Sequence, residues 1–411
     1  MSNSFVRYCV VVAALGLSFP GWAQDKGGPT VRAEIGKPLQ AAIELLKQKR
    51  GKEALARVKE AEAVPNKTPY ETYLVTRMHA QAAATMGDAA EAGKFFEAAA
   101  ASAAAPESEK RQFLAAAAQQ YYAAKDYAKA ADVSGRYLKD GDDKAMRTLH
   151  IQSLYLGNNF AAAAKAISAD VEAEEKAGRS PSENQLQLLA NAYLQQKDNA
   201  GYTRAMEKLA THYPKRDYWL NLMHGVATRP GFSERLALDV ARLKLELGTI
   251  KTANEYLDAA QLSLIEGFPA EAVKIIDRGY KAGVLGTGGE AERHKRLKEL
   301  AAKNLAEDKK SMAQDNGKDN ATREGRAMFN DGFNLVLHGK ADKGLTMMQE
   351  GLRRGTGPSL RSDHAKLQLG YAYHLAGQKD RAVQTFKTVH GTDGAAALAN
   401  LWVIRLGGRA S

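Results

Sequence analysis

From Val31 onward, apolar side chains recur at the spacing of amphipathic helices, and strand-like alternation is almost absent. Alanine is dense where two such helices would have to cross closely. Turn signals break the pattern at Gly51-Lys52, Gly87-Asp88, Lys125-Asp126, Gly157-Asn158, Lys197-Asp198, Pro230-Gly231, Gly267-Phe268, Gly339-Lys340 and Gly377-Gln378. Their mean spacing is about 36 residues once the double-length gap before Gly339 is counted as two periods. Each period predicts two helices of about 13 to 16 residues and two short turns. The chain therefore reads as all-α, an α-solenoid of tandem antiparallel helix pairs. No pair buries its whole apolar surface alone, so neighbours must stack, leaving a concave and a convex face.

Two stretches set the register. Leu369-Gly370-Tyr371-Ala372-Tyr373 precedes the Gly377-Gln378 turn, Ala382 and Phe386; Leu189-Ala190-Asn191-Ala192-Tyr193 precedes Lys197-Asp198 and the closing Pro214. This frame resembles the tetratricopeptide repeat, with weaker copies at Tyr121 with Ala130, at Gly87 with Ala92 and Phe96, at Gly267 with Ala272, and at Gly332 with Gly344 and Met348. Small residues such as Gly370 and Ala382, or Gly332 and Gly344, should face each other at the helix crossing, with Phe386 or Phe96 filling the space below. Tyr202 and Met206 depart from the frame and predict a splayed pair. The resemblance implies a right-handed superhelix whose first helices line a groove for a protein or peptide partner. The side chains it places there are Asn184, Gln187, Asn191 and Leu194; Arg326, Phe329, Phe333 and Val336; and His364, Leu367, Tyr371 and His374.

The double-length gap holds a charged helix from Glu290 to Met312, with Leu297, Leu300, Ala301 and Leu305 on one face, and then a polar stretch. This suggests a tetratricopeptide-like solenoid over residues 24–312, a linker over 313–320, and further repeats over 321–411 closed by a capping helix from Asp393 to Leu406.

Composition changes the picture mainly at the N-terminus. Residues 1–23 combine Arg7, the apolar run Val10 to Phe19, Pro20 and small residues at Gly21 and Ala23, the pattern of a cleavable signal peptide. The run is about half of the ~20 residues a membrane helix needs, and no other segment is long enough to span, so no stable membrane span is expected after cleavage. Export into the periplasm of a Gram-negative cell is the expectation. The single cysteine, Cys9, falls in that leader, which removes disulfides, thiolate metal sites and thiol catalysis from the mature chain. The formal net charge of +11 favours acidic partners weakly.

Candidate chemistry is sparse. The Gly283 to Gly289 loop lacks the Lys-Ser/Thr and strand context of a phosphate loop and reads as a helix stop. His364 and His374 lie nearly three helical turns apart, too far for one metal. The basic run Arg293 to Lys298 is interleaved with glutamates and reads as a solvated face, with no nucleic-acid role. No catalytic motif, cofactor or metal is expected, and the chain reads as a non-enzymatic scaffold. A second resemblance runs through Tyr213-Pro214-Lys215-Arg216-Asp217-Tyr218-Trp219, Leu236 to Gly248, and Ala270 to Ile276. It is similar to periplasmic repeat proteins encoded beside TonB, ExbB and ExbD, which implies an accessory role in energy transduction. The alternative is an envelope-assembly or tethering factor built on the same repeats.

Overall fold

The computed structural model describes residues 30–314, 324–357 and 360–407. The leader with Cys9 lies outside the described residues, as does most of the expected linker over 313–320. Among the described residues there is no β-strand. The chain forms two compact units, one reaching Ala173 and including Gln195–Lys197, the other holding Glu174–Leu194 and the chain from Asp198 on.

The first unit contains α1 (Ala33–Lys47) paired with α2 (Gly51–Glu62), α3 (Pro69–Met86) with α4 (Ala89–Ala101), α5 (Glu107–Ala123) with α6 (Tyr127–Lys139), and α7 (Lys144–Leu156) with α8 (Phe160–Lys176), whose last turn belongs to the second. The second unit opens with α9 (Glu183–Gln195), except for Gln195 itself, and α10 (Asn199–His212). It continues with α11 (Arg216–Ala227), a 3-10 turn at Glu234–Leu236, α12 (Ala237–Glu246), α13 (Ala253–Ile265) and α14 (Pro269–Lys281). The long α15 (Ala291–Gln314) follows, then α16 (Gly325–Leu337) with α17 (Ala341–Arg354), α18 (Ser362–Leu375) with α19 (Lys379–Phe386), and α20 (Ala395–Arg405).

One local device closes every regular pair. A residue in the left-handed region follows the first helix: Lys49, Gly87, Lys125, Asn158, Lys197, Gly267, Gly339 or Gly377. The next N–H then donates to the carbonyl five residues back, as from Asp88 to Ala83, Asp126 to Tyr121, Phe268 to Ser263 and Gln378 to Tyr373. This satisfies carbonyls that a helix end would leave orphaned. At Asp88, Asp126 and Asp198 the side chain also caps the second helix, accepting from the backbone N–H of Glu91, Lys129 and Gly201.

Counting from that left-handed residue gives the packing. The fifth position after it is Ala54, Ala92, Ala130, Ala163, Ala272 or Ala382, each at 0% exposure, or the buried Gly344. Four residues further on stand Val58, Phe96, Ile167, Ile276, Met348 and Phe386, all buried. The seventh position before it is again small and buried at Ala42, Ala80, Ala118, Ala260, Gly332 and Gly370. The α9–α10 pair departs as its sequence does, though not by splaying at its turn. Tyr202 turns out to bond Asn221 Oδ1 at 3.1 Å, and Gly201, one residue early, packs against the Tyr193 ring. In α16–α17 backbone meets backbone. A Cβ on Gly332 would lie 2.7 Å from Gly344 O, and one on Gly351 would lie 2.7 Å from Phe329 N.

Two further expectations are revised. On α15 the buried face is His294, Leu297 and Ala301, whereas Leu300 is 49% exposed. The C-terminal helix α20 is buried through Leu398, Leu401, Trp402, Val403 and Ile404 and packs on α10, α12, α18 and α19. It is thus enclosed, where a cap would present one polar outer face. Asn400 donates to Glu207 at 2.7 Å, and Ser233 N donates to Asp393 O at 2.8 Å. The last helix pairs therefore fold together with α10 to α14 in one unit.

Candidate protein interface

Four of the expected groove side chains form an open face. Asn184, Gln187, Asn191 and Leu194 fall at helical spacing along α9, and all are exposed, while Leu186, Leu189 and Ala190 face the core. Leu194 is 52% exposed. The face is held by polar ties to α11. Gln187 Nε2 donates to Tyr218 Oη at 2.7 Å, Tyr218 donates to Glu183, and Lys215 Nζ lies 2.6 Å from Glu183. Tyr213 Oη donates to Pro181 O at 2.8 Å. Lys215 and Tyr218 together hold the Glu183 carboxyl below its ordinary pKa. The stretch from Tyr213 to Trp219 thus joins the first helices of successive pairs.

The other two groups are corrected by burial. Phe329 and Phe333 have 0% exposure, and His364 has 6%. Leu367 and Val336 are buried as well. Of these two helices' candidates only Arg326 is exposed, while Tyr371 and His374 are half-buried. The cause is a set of neighbours distant in sequence. Arg242 of α12 donates to both Glu271 oxygens at 2.9 and 2.8 Å and to Asp239 at 3.0 Å. Its guanidinium lies 5.0 Å from the ring centres of Phe333 and Tyr371 and 5.6 Å from that of Phe268. Burial pushes the Asp239 carboxyl above its ordinary pKa, with Arg242 opposing, and burial also raises the Tyr371 hydroxyl. His364 Nε2 contacts Asp393 at 2.8 Å, and His374 Nε2 contacts Glu246 at 3.3 Å. The Tyr371 ring sits 5.5 Å from Trp402. These aromatic and histidine side chains are therefore the interior of the second unit, and a partner has no path to Phe329, Phe333 or His364.

The repeat frame reveals polar side chains that the motifs alone do not single out. Asn191 stands six residues before the left-handed turn residue of its pair. The same position holds Gln81 on α3, Gln119 on α5, Gln152 on α7 and Gln261 on α13. Counting back from each turn signal would have found them.

A small cavity of about 230 Å³ lies at the ends of α12 and α14, walled by Leu245, Ile250, Tyr256 and Val284 with Lys251 and Arg278. Among the described residues there is no group of three or more histidine, cysteine or carboxylate side chains placed to hold a metal. No helix of the described residues is long and apolar enough to cross a membrane.

These features define the class: an all-α protein of tandem, tetratricopeptide-like helix pairs. No family model matches the chain, and no curated protein does. Among solved structures it is similar to the P58(IPK) TPR domain, at 13% identity over 90% of this chain and 98% of that one, with a TM-score of 0.21. A superposition that loose carries no argument, and the class rests on the turn and crossing geometry above.

Proposed function

We propose that this chain is a non-enzymatic repeat scaffold that binds another protein, working after export in the periplasm. The observation that carries the reading is the α9 face: two asparagines, a glutamine and a half-exposed leucine held in line. A mixed amide and aliphatic surface on a rigid helix suits contact with a polypeptide better than catalysis. The titratable groups clustered around Arg242 are buried, and the cavity near Arg278 is lined by other residues. The finer reading is an adaptor accessory to TonB, ExbB and ExbD energy transduction, supported by the sequence resemblance over residues 213–219, 236–248 and 270–276.

Photo-crosslinkers at Asn184, Asn191 and Leu194, placed in cells, test both levels. Recovery of one defined protein from all three positions, and from none on the buried Phe329, is expected. Adducts confined within the chain would sink the scaffold reading. A captured partner outside the TonB system would remove only the finer one, leaving envelope assembly or tethering.

A further inference from the structure

The cavity of about 230 Å³ at the ends of α12 and α14 combines apolar walls with unpaired positive charge. Leu245, Ile250 and Tyr256 are buried and Val284 is half-buried, so its floor is apolar. Lys251 enters from the loop between α12 and α13, and Arg278 from the end of α14. Neither side chain makes a hydrogen bond or an ion pair with a described residue. The carboxylates around them are committed elsewhere. Glu246, which feels the Arg278 charge, pairs with Arg405 at 2.9 Å and His374 at 3.3 Å. Glu255 Oε2 accepts from the backbone N–H groups of Lys251 and Thr252 at 3.0 and 3.2 Å, and its Oε1 lies 3.7 Å from Lys244. The charged lining of the cavity is therefore wholly cationic.

Size and chemistry together narrow the ligand. At the density with which benzene fills an apolar cavity of about 150 Å³, this volume takes about nine non-hydrogen atoms, an aromatic ring with one small polar group. A guanidinium offers a carboxylate two parallel N–H donors, a match that a neutral amide or alcohol cannot use as well. Exposed cations alone give little affinity, because water and salt screen them. The apolar walls must supply the rest, which selects a ligand that carries both an apolar body and a negative charge.

We infer that this cavity binds a small free aromatic carboxylate, its ring against Leu245, Ile250, Tyr256 and Val284 and its charge toward Arg278 and Lys251. The walls come mainly from α12 and α14, the second helices of their pairs. The site is thus distinct from the exposed face of α9 and does not depend on the protein-binding reading.

Isothermal titration of the full chain with benzoate and phenylacetate at low ionic strength tests the site, with a Kd below about 1 mM expected for at least one of them. Benzamide, of nearly the same shape but uncharged, should bind at least about tenfold more weakly than benzoate. Arg278→Met should weaken the carboxylate about tenfold and Lys251→Met about threefold; both side chains are exposed, so neither change disturbs the core. Lys281→Met, on the same helix but outside the cavity, should leave affinity unchanged. Ala282→Phe fills the space while keeping both cations and should remove binding. If neither carboxylate binds at about 10 mM, or if benzamide and Arg278→Met both stay within about twofold of benzoate on the native chain, the site is overturned. A tetrapeptide acid ending in phenylalanine that binds about tenfold tighter than benzoate would overturn the assignment to a free small molecule. None of these outcomes bears on the scaffold reading, which the crosslinks from α9 decide.

Discussion

Lys49, Lys125, Asn158 and Lys197 hold the left-handed conformation that glycine supplies in the other regular pairs. An L side chain there costs about 1–2 kcal/mol, partly offset because glycine gains more entropy on unfolding. Lys125→Gly should therefore stabilise the chain by about 0.5–1 kcal/mol, and Gly87→Ala should destabilise it by a similar amount; urea midpoints would check both. A shift of the same sign in the two would refute the turn argument. His150 makes a pH prediction. Its Nδ1 contacts Ala131 O at 2.9 Å and Ser134 Oγ at 3.0 Å, and burial holds its pKa below the ordinary 6.5. The unfolded chain then binds more protons than the folded one as pH falls below about 6.5, so stability is lost on acidification through that window. Urea midpoints at pH 7.5 and 5.5 should differ more for the native chain than for His150→Gln. An equal difference would show that the ring is not what titrates.

Helix crossings turn single methyl groups into large effects. Gly332→Ala places its Cβ against the Gly344 carbonyl and the Met348 backbone, so overpacking of about 1–3 kcal/mol should exceed the helix-propensity gain of about 1 kcal/mol. Gly225 is exposed on α11, and a Cβ added there would meet nothing within 4 Å. Its replacement by alanine should instead stabilise the helix by up to about 1 kcal/mol. Equal responses of the two in thermal unfolding would contradict the backbone contact in α16–α17. The same steric demand explains why so much of the fold is legible in sequence. Ala382 with Phe386 and Gly332 with Gly344 are local consequences of a crossing, fixed by spacing within one pair. The α11–α12 pair was less legible because Pro230-Gly231 leads through a 3-10 turn before α12 begins. The α9 candidates are exposed whereas most of those on α16 and α18 are buried, since helical spacing says which side chains share a face and nothing about what covers it. The covering groups, Arg242, Phe268 and Trp402, come from helices far away in sequence.

The second unit is organised around that cover. Arg242 on α12 reaches Glu271 on α14 and faces Phe333 on α16 and Tyr371 on α18, so one guanidinium links four helices. At 3% exposure its charge is tolerable only because both carboxylates pair with it. Arg242→Met leaves Asp239 and Glu271 buried without their cation and should cost about 3–5 kcal/mol. Replacing all three, as Asp239→Leu, Arg242→Met and Glu271→Met, should recover most of that loss, because apolar side chains of similar volume need no partners. Amide hydrogen exchange checks both variants. In Arg242→Met, protection should fall together in α12, α14, α16 and α18, and in the triple variant it should return in all of them. Loss confined to α12 would mean that the guanidinium serves its own helix alone. Loss that persists in the triple variant would mean that the ion pairs themselves set how these helices pack.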